Sequence, residues 1–315
     1  MTMTTNRTAP RANGSRRPFR SLLAAALALP LLAFGPAAAP CWPNAAAQAV
    51  EAAKIDTSRL VAIGGDITEI VYALGEEKRL IARDSTSLYP AAATALPDVG
   101  YMRALSPEGI LAVNPSAIIA VEGSGPPEAL AVLRNASVPF ETVPQHFDRD
   151  GILSKIETVG ALLGVPDKAK ALEGKVAADL DAAIADAARR PAAERKRVLF
   201  ILSAQGGKIL VSGTGTAADG IIRLAGADNA AGTFAGYKPL TDEAIIEAKP
   251  DAILMMDRGG DHAMSDDELL KQPALSLTPA AAKKAILRMD GLYLLGFGPR
   301  TAGAVRDLNV ALYGR

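Results

Sequence analysis

The feature that most constrains the fold is an internal repeat. Residues 100–119 and 236–254 share, in order, a Gly-Tyr pair, a short spacer, the pattern Leu-Ser/Thr-x-Glu-x-Ile, and the pattern Pro-x-Ala-Ile. A Ser or Thr shortly before an acid is a helix-start signal, and the apolar run after the proline indicates a buried strand. Each half of the chain is therefore predicted to carry a Gly-Tyr loop, a short helix and a strand at matching places.

Strand and helix signals alternate through both halves of the chain. Short apolar runs predict strands at residues 59–63, 80–82, 117–121, 138–143, 197–202, 209–211 and 252–256. An Ala-rich, charge-laced stretch at 167–190 predicts one long helix, about 36 Å at 1.5 Å per residue. The expected fold is α/β, with two pseudo-symmetric lobes joined by that connecting helix. Each lobe is expected to hold a mainly parallel sheet flanked by helices.

The length of 315 residues allows two domains of ordinary size beside a leader. The expected boundaries are a leader at 1–49, an N-terminal lobe at 50–147, connecting helices at 148–191 and a C-terminal lobe at 192–315.

The leader has the composition of a secretory signal peptide. It contains five Arg and no acid, an apolar segment at 21–34 and small residues beyond it. Cleavage is expected near residues 47–49. The Arg16-Arg17 pair is also typical of a twin-arginine export signal, so the export route stays open. No apolar run after the leader reaches the roughly 20 residues that a membrane-spanning helix needs.

Composition excludes several functions for the remainder of the chain. Without the leader's five Arg it has 29 basic and 34 acidic side chains, a net charge near −5, which argues against nucleic acid. The single cysteine, Cys41, falls in the leader, so disulfide and thiol chemistry are not expected. Phosphate-loop, zinc-helix and serine-elbow motifs are missing from the sequence. The prediction is a binding protein rather than an enzyme.

Four motifs carry a family resemblance, at residues 65–75, 100–106, 255–259 and 294–300. With the leader, the repeat and the long helix, they resemble the periplasmic binding proteins of metal-chelate importers. Within that group the chain is similar to the haem-binding proteins of haem ABC importers. The resemblance implies a periplasmic location and an inter-lobe cleft that holds one ferric haem as the transported ligand. It also implies delivery of the haem to a dimeric membrane permease.

The resemblance makes Tyr101 the axial ligand of the haem iron. Phenolate oxygen is a hard, anionic ligand that suits ferric iron, and tyrosine is a known haem ligand. Because free tyrosine has a pKa of about 10, the iron and a nearby cation must favour the phenolate. Arg103, two residues on, is expected to supply that cation. The alternatives are a loop-lining aromatic for Tyr101 and a solvated surface charge for Arg103.

Two further haem contacts are expected from the second lobe. The resemblance assigns Arg258 to a haem propionate, since carboxylates prefer Arg, Lys or backbone N–H partners. An ion pair of Arg258 with Asp257 or Asp261 is the alternative. Tyr237 is the counterpart of Tyr101 in the repeat and is expected to face the cleft. It is not expected to bind the iron, because Lys238-Pro239 replaces the Met-Arg-Ala that follows Tyr101.

Glu108 and Glu243 occupy equivalent places in the two copies, just inside the short helices. The resemblance implies that they dock onto arginines of the permease, one acid to each subunit. The alternative is a purely local role, in which the acids favour the helix N-termini.

Three rival functions stay open. A siderophore- or cobalamin-binding protein shares the scaffold but needs no axial tyrosine. A haem scavenger without an importer needs no docking acids. An exported hydrolase based on Asp or Glu acid–base chemistry is a rival from another class.

Overall fold

The first lobe is built on a four-stranded parallel sheet in the order β2-β1-β3-β4. A computed structural model describes residues 55–257 and 264–314 of the chain. The strands are β1 (Leu60–Ile63), β2 (Leu80–Arg83), β3 (Ala117–Val121) and β4 (Phe140–Val143). The helices of this lobe are α1 (Gly65–Ala73), α2 (Pro107–Ala112) and α3 (Pro127–Asn135). β1 and β3 are buried along their whole length, as expected of strands covered on both faces.

The second lobe is built on a mixed sheet in the order β10-β9-β5-β6-β8, with a short β7 beside β5. Its strands are β5 (Arg197–Gln205), β6 (Lys208–Ser212), β7 (Asp228–Asn229), β8 (Tyr237–Leu240), β9 (Ala252–Asp257) and β10 (Ile286–Asp290). β10, β9 and β5 run parallel, whereas β6 is antiparallel to both β5 and β8. The hairpin between β5 and β6 turns at Gly206-Gly207, both with positive φ.

Helices surround the second sheet and connect it to the first. Those of the second lobe are α6 (Ala217–Leu224), α7 (Asp242–Ala248), α8 (Asp266–Leu270), α9 (Pro273–Ser276), α10 (Pro279–Ala282), α11 (Gly291–Leu295) and α12 (Thr301–Tyr313). The connection consists of α4 (Arg149–Leu162) and the 23-residue α5 (Pro166–Ala188). α5 packs against α4 and α12, which confirms the long connecting helix.

One continuous apolar core joins the lobes. It includes Leu60 of β1, Ile156 of α4, Leu180 of α5 and Val305 of α12, all completely buried. Smaller clusters lie on the outer face of each sheet. Because the shared core contains residues of both sheets and both connecting helices, apolar burial holds the two lobes together.

The expected α/β class with two lobes is confirmed, and one local expectation is wrong. Tyr237 was expected in a loop like that of Tyr101, but it begins strand β8. The segment Tyr-Lys-Pro-Leu lacks the apolar run that predicts a buried strand. It forms a strand because it pairs with β6 at the edge of the sheet, where proline is tolerated.

In the part of the chain that the structure describes, no helix has the length and apolarity needed to cross a membrane.

Candidate functional site

The two lobes meet at the carboxyl ends of their parallel strands, where ligands bind in open α/β sheets. The turn after β1 brings Gly65 against Leu292 of α11. A Cβ on Gly65 would lie 2.6 Å from Leu292 Cδ1 and 2.6 Å from the Thr86 carbonyl oxygen. Glycine at this position therefore permits the close approach of the second lobe to the first.

Two acids of α1 tie the first lobe to residues near the start of α12. Glu69 is buried, and its Oε2 accepts from Arg300 Nε at 3.0 Å while its Oε1 accepts from the Arg300 backbone N–H at 3.1 Å. Burial raises the pKa of the Glu69 carboxyl, and the neighbouring Arg300 charge partly offsets this. Asp66 forms a buried ion pair with Lys155, whose ammonium also donates to the Phe297 carbonyl at 3.1 Å. These charged contacts fix the base of the cleft.

A pocket of about 240 Å³ opens beside this base. Residues of both lobes line it: Leu88, Tyr89, Asp290, Leu292, Tyr293 and Arg300. The Arg300 guanidinium stacks on the Tyr89 ring at 3.5 Å and lies 5.2 Å from the Tyr293 ring. The pocket thus combines flat aromatic and apolar walls with one guanidinium and one carboxylate, that of Asp290, and its flat walls suit a planar ligand.

Tyr101 lies on a turn at the edge of the first sheet and is 45% exposed. Gly100, directly before it, has a φ of +102°, a conformation that residues with a side chain rarely adopt. The Ala104 N–H donates to the Tyr101 carbonyl at 2.8 Å, and the Gly125 N–H donates to the Met102 carbonyl at 2.9 Å. The backbone of this tyrosine is therefore fixed while its ring remains open to a ligand.

Tyr237 from the second lobe lies near the Tyr101 turn. Burial raises the pKa of the Tyr237 hydroxyl above its ordinary value. The Thr216 and Ser212 hydroxyls and the Arg103 charge lower that pKa, whereas Tyr101 raises it. The side chains of Tyr101, Arg103 and Tyr237 are thus within electrostatic reach of one another. The structure brings together three of the residues that the sequence assigned to the haem site.

Glu108 and Glu243 are exposed second residues of α2 and α7. Ser106 and Thr241 are confirmed as the N-caps, accepting from the Gly109 and Ala244 backbone N–H groups at 3.3 Å each. Glu108 also accepts from the Ser106 hydroxyl at 3.0 Å. Hydrogen bonds of the helix N-termini and the cap hydroxyls lower the pKa of both carboxyls. The acids are therefore charged, accessible and matched between the lobes.

One residue predicted to contact haem is not described by the structure, and three cleft residues were not predicted as such. Arg258 lies outside the described residues; β9 ends at Asp257, the residue before it. The sequence interpretation missed Tyr89 and Tyr293 as cleft residues and named Arg300 only within a motif. The sequence feature that could have identified Tyr89 and Tyr293 is their position shortly after the carboxyl ends of strands β2 and β10 respectively.

Among residues 55–257 and 264–314, no cluster of His, Cys, Asp and Glu side chains is suited to a metal ion.

Comparisons with known proteins agree with this two-lobed geometry. Residues 60–292 match the periplasmic binding protein family. The chain belongs to this family. Among solved structures, this periplasmic binding protein is 40% identical to the periplasmic haem-binding protein RhuT of Roseiflexus sp. RS-1 in its apo form. That alignment covers 82% of this chain and 98% of RhuT, with a TM-score of 0.77.

Two further relatives bear on the ligand. The periplasmic haem-binding protein BhuT, in complex with two haems, is 40% identical over 81% of this chain and 97% of BhuT, with a TM-score of 0.76. The vitamin B12-binding protein of Vibrio parahaemolyticus (serotype O3:K6, strain RIMD 2210633) is 28% identical over 79% of this chain and 87% of that protein. The resemblance to periplasmic haem-binding proteins is therefore confirmed, and these relatives are ligand-binding proteins rather than enzymes.

Proposed function

We propose that this protein captures ferric haem in the cleft between its lobes and delivers it to an ABC importer. The observation that carries the proposal is Tyr101, an exposed tyrosine on a fixed turn beside Arg103 and opposite Tyr237. The names of the two solved relatives support haem as the ligand. On this proposal the protein is a binder without catalytic activity. It is exported to the periplasm after cleavage of the leader near residues 47–49.

Tyr101 is the proposed ligand of the haem iron. A bond to ferric iron favours the phenolate, and a cation nearby stabilises the same charge. Arg103 follows in the same turn and acts electrostatically on Tyr237 across the cleft. It can therefore stabilise negative charge at this end of the cleft. Tyr237, more buried and beside two hydroxyl groups, is proposed to contact the haem without binding the iron.

Arg258 remains the proposed partner of a haem propionate. A charge-assisted hydrogen bond of this kind contributes about 1.5–3 kcal/mol, so its removal weakens binding roughly ten- to a hundredfold.

The pocket at Tyr89, Tyr293 and Arg300 supports a planar ligand, because its walls are aromatic and apolar.

Delivery is proposed to depend on Glu108 and Glu243. The two carboxylates are exposed at equivalent helix starts, one in each lobe. A pair of matched acids suits a partner with two equivalent cationic sites, such as a dimeric permease with an arginine on each subunit. The helix caps by themselves do not require these acids, since the cap hydroxyls accept from the backbone N–H groups directly.

Cobalamin is the second candidate ligand, because the relative from Vibrio parahaemolyticus is a vitamin B12-binding protein. Parallel titrations of the purified protein with hemin, cyanocobalamin and a ferric siderophore separate the candidates. We expect a saturable shift of the hemin Soret band and no binding of the other two ligands. Binding of cobalamin or the siderophore, with the hemin spectrum unchanged by the protein, would overturn the proposal.

A further inference from the structure

The chain that leads into Tyr101 is held beside the end of β2 by an isolated parallel β-bridge. The Arg83 N–H donates to the Pro97 carbonyl, the Val99 N–H to the Arg83 carbonyl, and the Ser85 N–H to the Gly100 carbonyl, each at 2.9 Å. Arg83 and Asp98 face one another in this parallel pairing. The pairing fixes the course of the backbone up to Gly100.

The Asp98 carboxylate connects this pairing to the turn itself. Its Oδ1 accepts from the Gly100 N–H at 2.8 Å and from the Ser85 hydroxyl at 2.9 Å. Its Oδ2 accepts from Arg83 Nη1 at 3.2 Å, in an ion pair with a largely buried guanidinium. One side chain therefore holds the end of β2 and the glycine that sets the direction of Tyr101.

The other side of the turn is held by backbone groups alone. The Gly125 N–H donates to the Met102 carbonyl, and the Leu105 N–H donates to the Gly125 carbonyl, both at 2.9 Å. These bonds persist whatever side chain stands at position 98. Substitution of Asp98 therefore loosens only the side of the turn that precedes Tyr101, where the Gly100 carbonyl keeps its bond from the Ser85 N–H but the Gly100 N–H loses its acceptor.

We propose that Asp98 is a positioning residue, which fixes the direction in which Tyr101 presents its hydroxyl to haem iron. This inference rests on the proposed function. A metal–ligand bond depends on the orientation of the ligand, and loss of a group that orients a ligand commonly costs about 10- to 100-fold in affinity. The Asp98 side chain is 40% exposed at the sheet edge, and Arg83 Nη1 keeps its bond to the Asp84 carbonyl at 3.0 Å when Asp98 is replaced.

The test compares Asp98→Ala and Asp98→Asn with Asp251→Ala. Asp251 is a matched control in the second lobe. It likewise accepts from a backbone N–H, that of Arg197 at 3.0 Å, and pairs with Lys283 at 3.8 Å. It precedes β9 and therefore lies at the amino ends of the parallel strands, whereas the cleft lies at their carboxyl ends. Asp98→Asn keeps an oxygen that can accept from Gly100 and Ser85.

For Asp98→Ala we expect ferric haem affinity to fall about 10- to 100-fold and the tyrosinate charge-transfer bands to weaken. In the haem-free protein, the Gly100 amide should exchange faster with deuterium because its hydrogen bond is lost. Asp98→Asn should retain the bands, and Asp251→Ala should retain both bands and affinity. If the alanine variant does not fold, Asp98→Leu replaces it, since leucine fills the space of the side chain but has no acceptor for Gly100, Ser85 or Arg83.

Two results would overturn the inference while leaving the proposed function intact. One is wild-type affinity and charge-transfer bands in folded Asp98→Ala, with both lost in Tyr101→Phe. The other is an equal loss of the bands in Asp251→Ala, which would show a general effect of reduced stability. Failure of the proposed function is recognised separately, because the wild-type protein would then give no haem spectrum and both proposals would fall.

Discussion

The two copies of the Gly-Tyr repeat have kept the same helix start but present their tyrosines differently. Gly100 and Gly236 both have positive φ, at +102° and +76°. Tyr101 nevertheless stands 45% exposed on a turn, whereas Tyr237 is partly buried in strand β8. The repeat therefore preserves the glycine conformation and the helix start, while the two tyrosines differ in backbone setting and in exposure.

The difference has a local cause in the spacer after the tyrosine. The first copy has four residues between Tyr101 and Ser106, enough for the turn closed by the Ala104 N–H. The second copy has three residues before Thr241, and one of them is Pro239, which stands opposite Leu210 in the antiparallel pairing with β6. Proline fixes φ in a range that suits extended backbone, so the shorter spacer continues as an edge strand.

The largest expected effect concerns the part of the repeat that is alike in both copies. The double variant Glu108→Lys, Glu243→Lys should bind haem as the wild type does but reduce haem delivery in a reconstituted transporter to near background. The physical reason is that, in the proposed docking, two matched attractive contacts with permease arginines become repulsive. Each single variant should lie between the wild type and the double variant. Full transport by a double variant that folds and binds haem would mean that these acids serve only their helices.

A smaller effect tests the electrostatic interaction between Arg103 and Tyr237. Arg103→Ala should raise the pKa of Tyr237 further in the haem-free protein, because the Arg103 charge favours its phenolate. A pH titration followed by tyrosinate ultraviolet absorption measures this shift, with Tyr237→Phe identifying the Tyr237 component. Lys238→Ala is the matched control, since it also removes one positive charge, and the Lys238 ammonium lies 5.3 Å from the centre of the Phe234 ring. Equal titration curves for both variants would contradict the account.

The smallest effect concerns the helix caps. Ser106→Ala and Thr241→Ala should each lower the free energy of unfolding by about 1 kcal/mol, because each hydroxyl accepts from a backbone N–H of its helix. Denaturant unfolding measures both changes. Ser276→Ala is the control, since its hydroxyl donates to the Pro273 carbonyl and caps no helix. A clear inequality between the two cap variants would show that the copies have diverged at this position as well.

The features predictable from sequence were those set by neighbouring residues. Helix caps depend on a Ser or Thr within one turn, and buried strands such as Ala117–Val121 are continuous apolar runs. Strand β8 was missed because its pairing partner β6, rather than its own composition, makes it a strand. The contacts of Asp98 with Arg83 and Ser85 and the Tyr89–Arg300 stack were missed because they join residues distant in sequence. Only the folded backbone brings such partners together.

The most direct test of the central claim is the ferric haem spectrum of Tyr101→Phe beside that of Tyr237→Phe. Each substitution removes one hydroxyl and keeps the ring, so the pair separates the proposed iron ligand, Tyr101, from the proposed haem contact, Tyr237. We expect Tyr101→Phe to lose the tyrosinate charge-transfer bands and to bind haem more weakly, while Tyr237→Phe keeps those bands. An unchanged spectrum in Tyr101→Phe, or loss of the bands in Tyr237→Phe alone, would contradict the assignment of Tyr101 as the iron ligand.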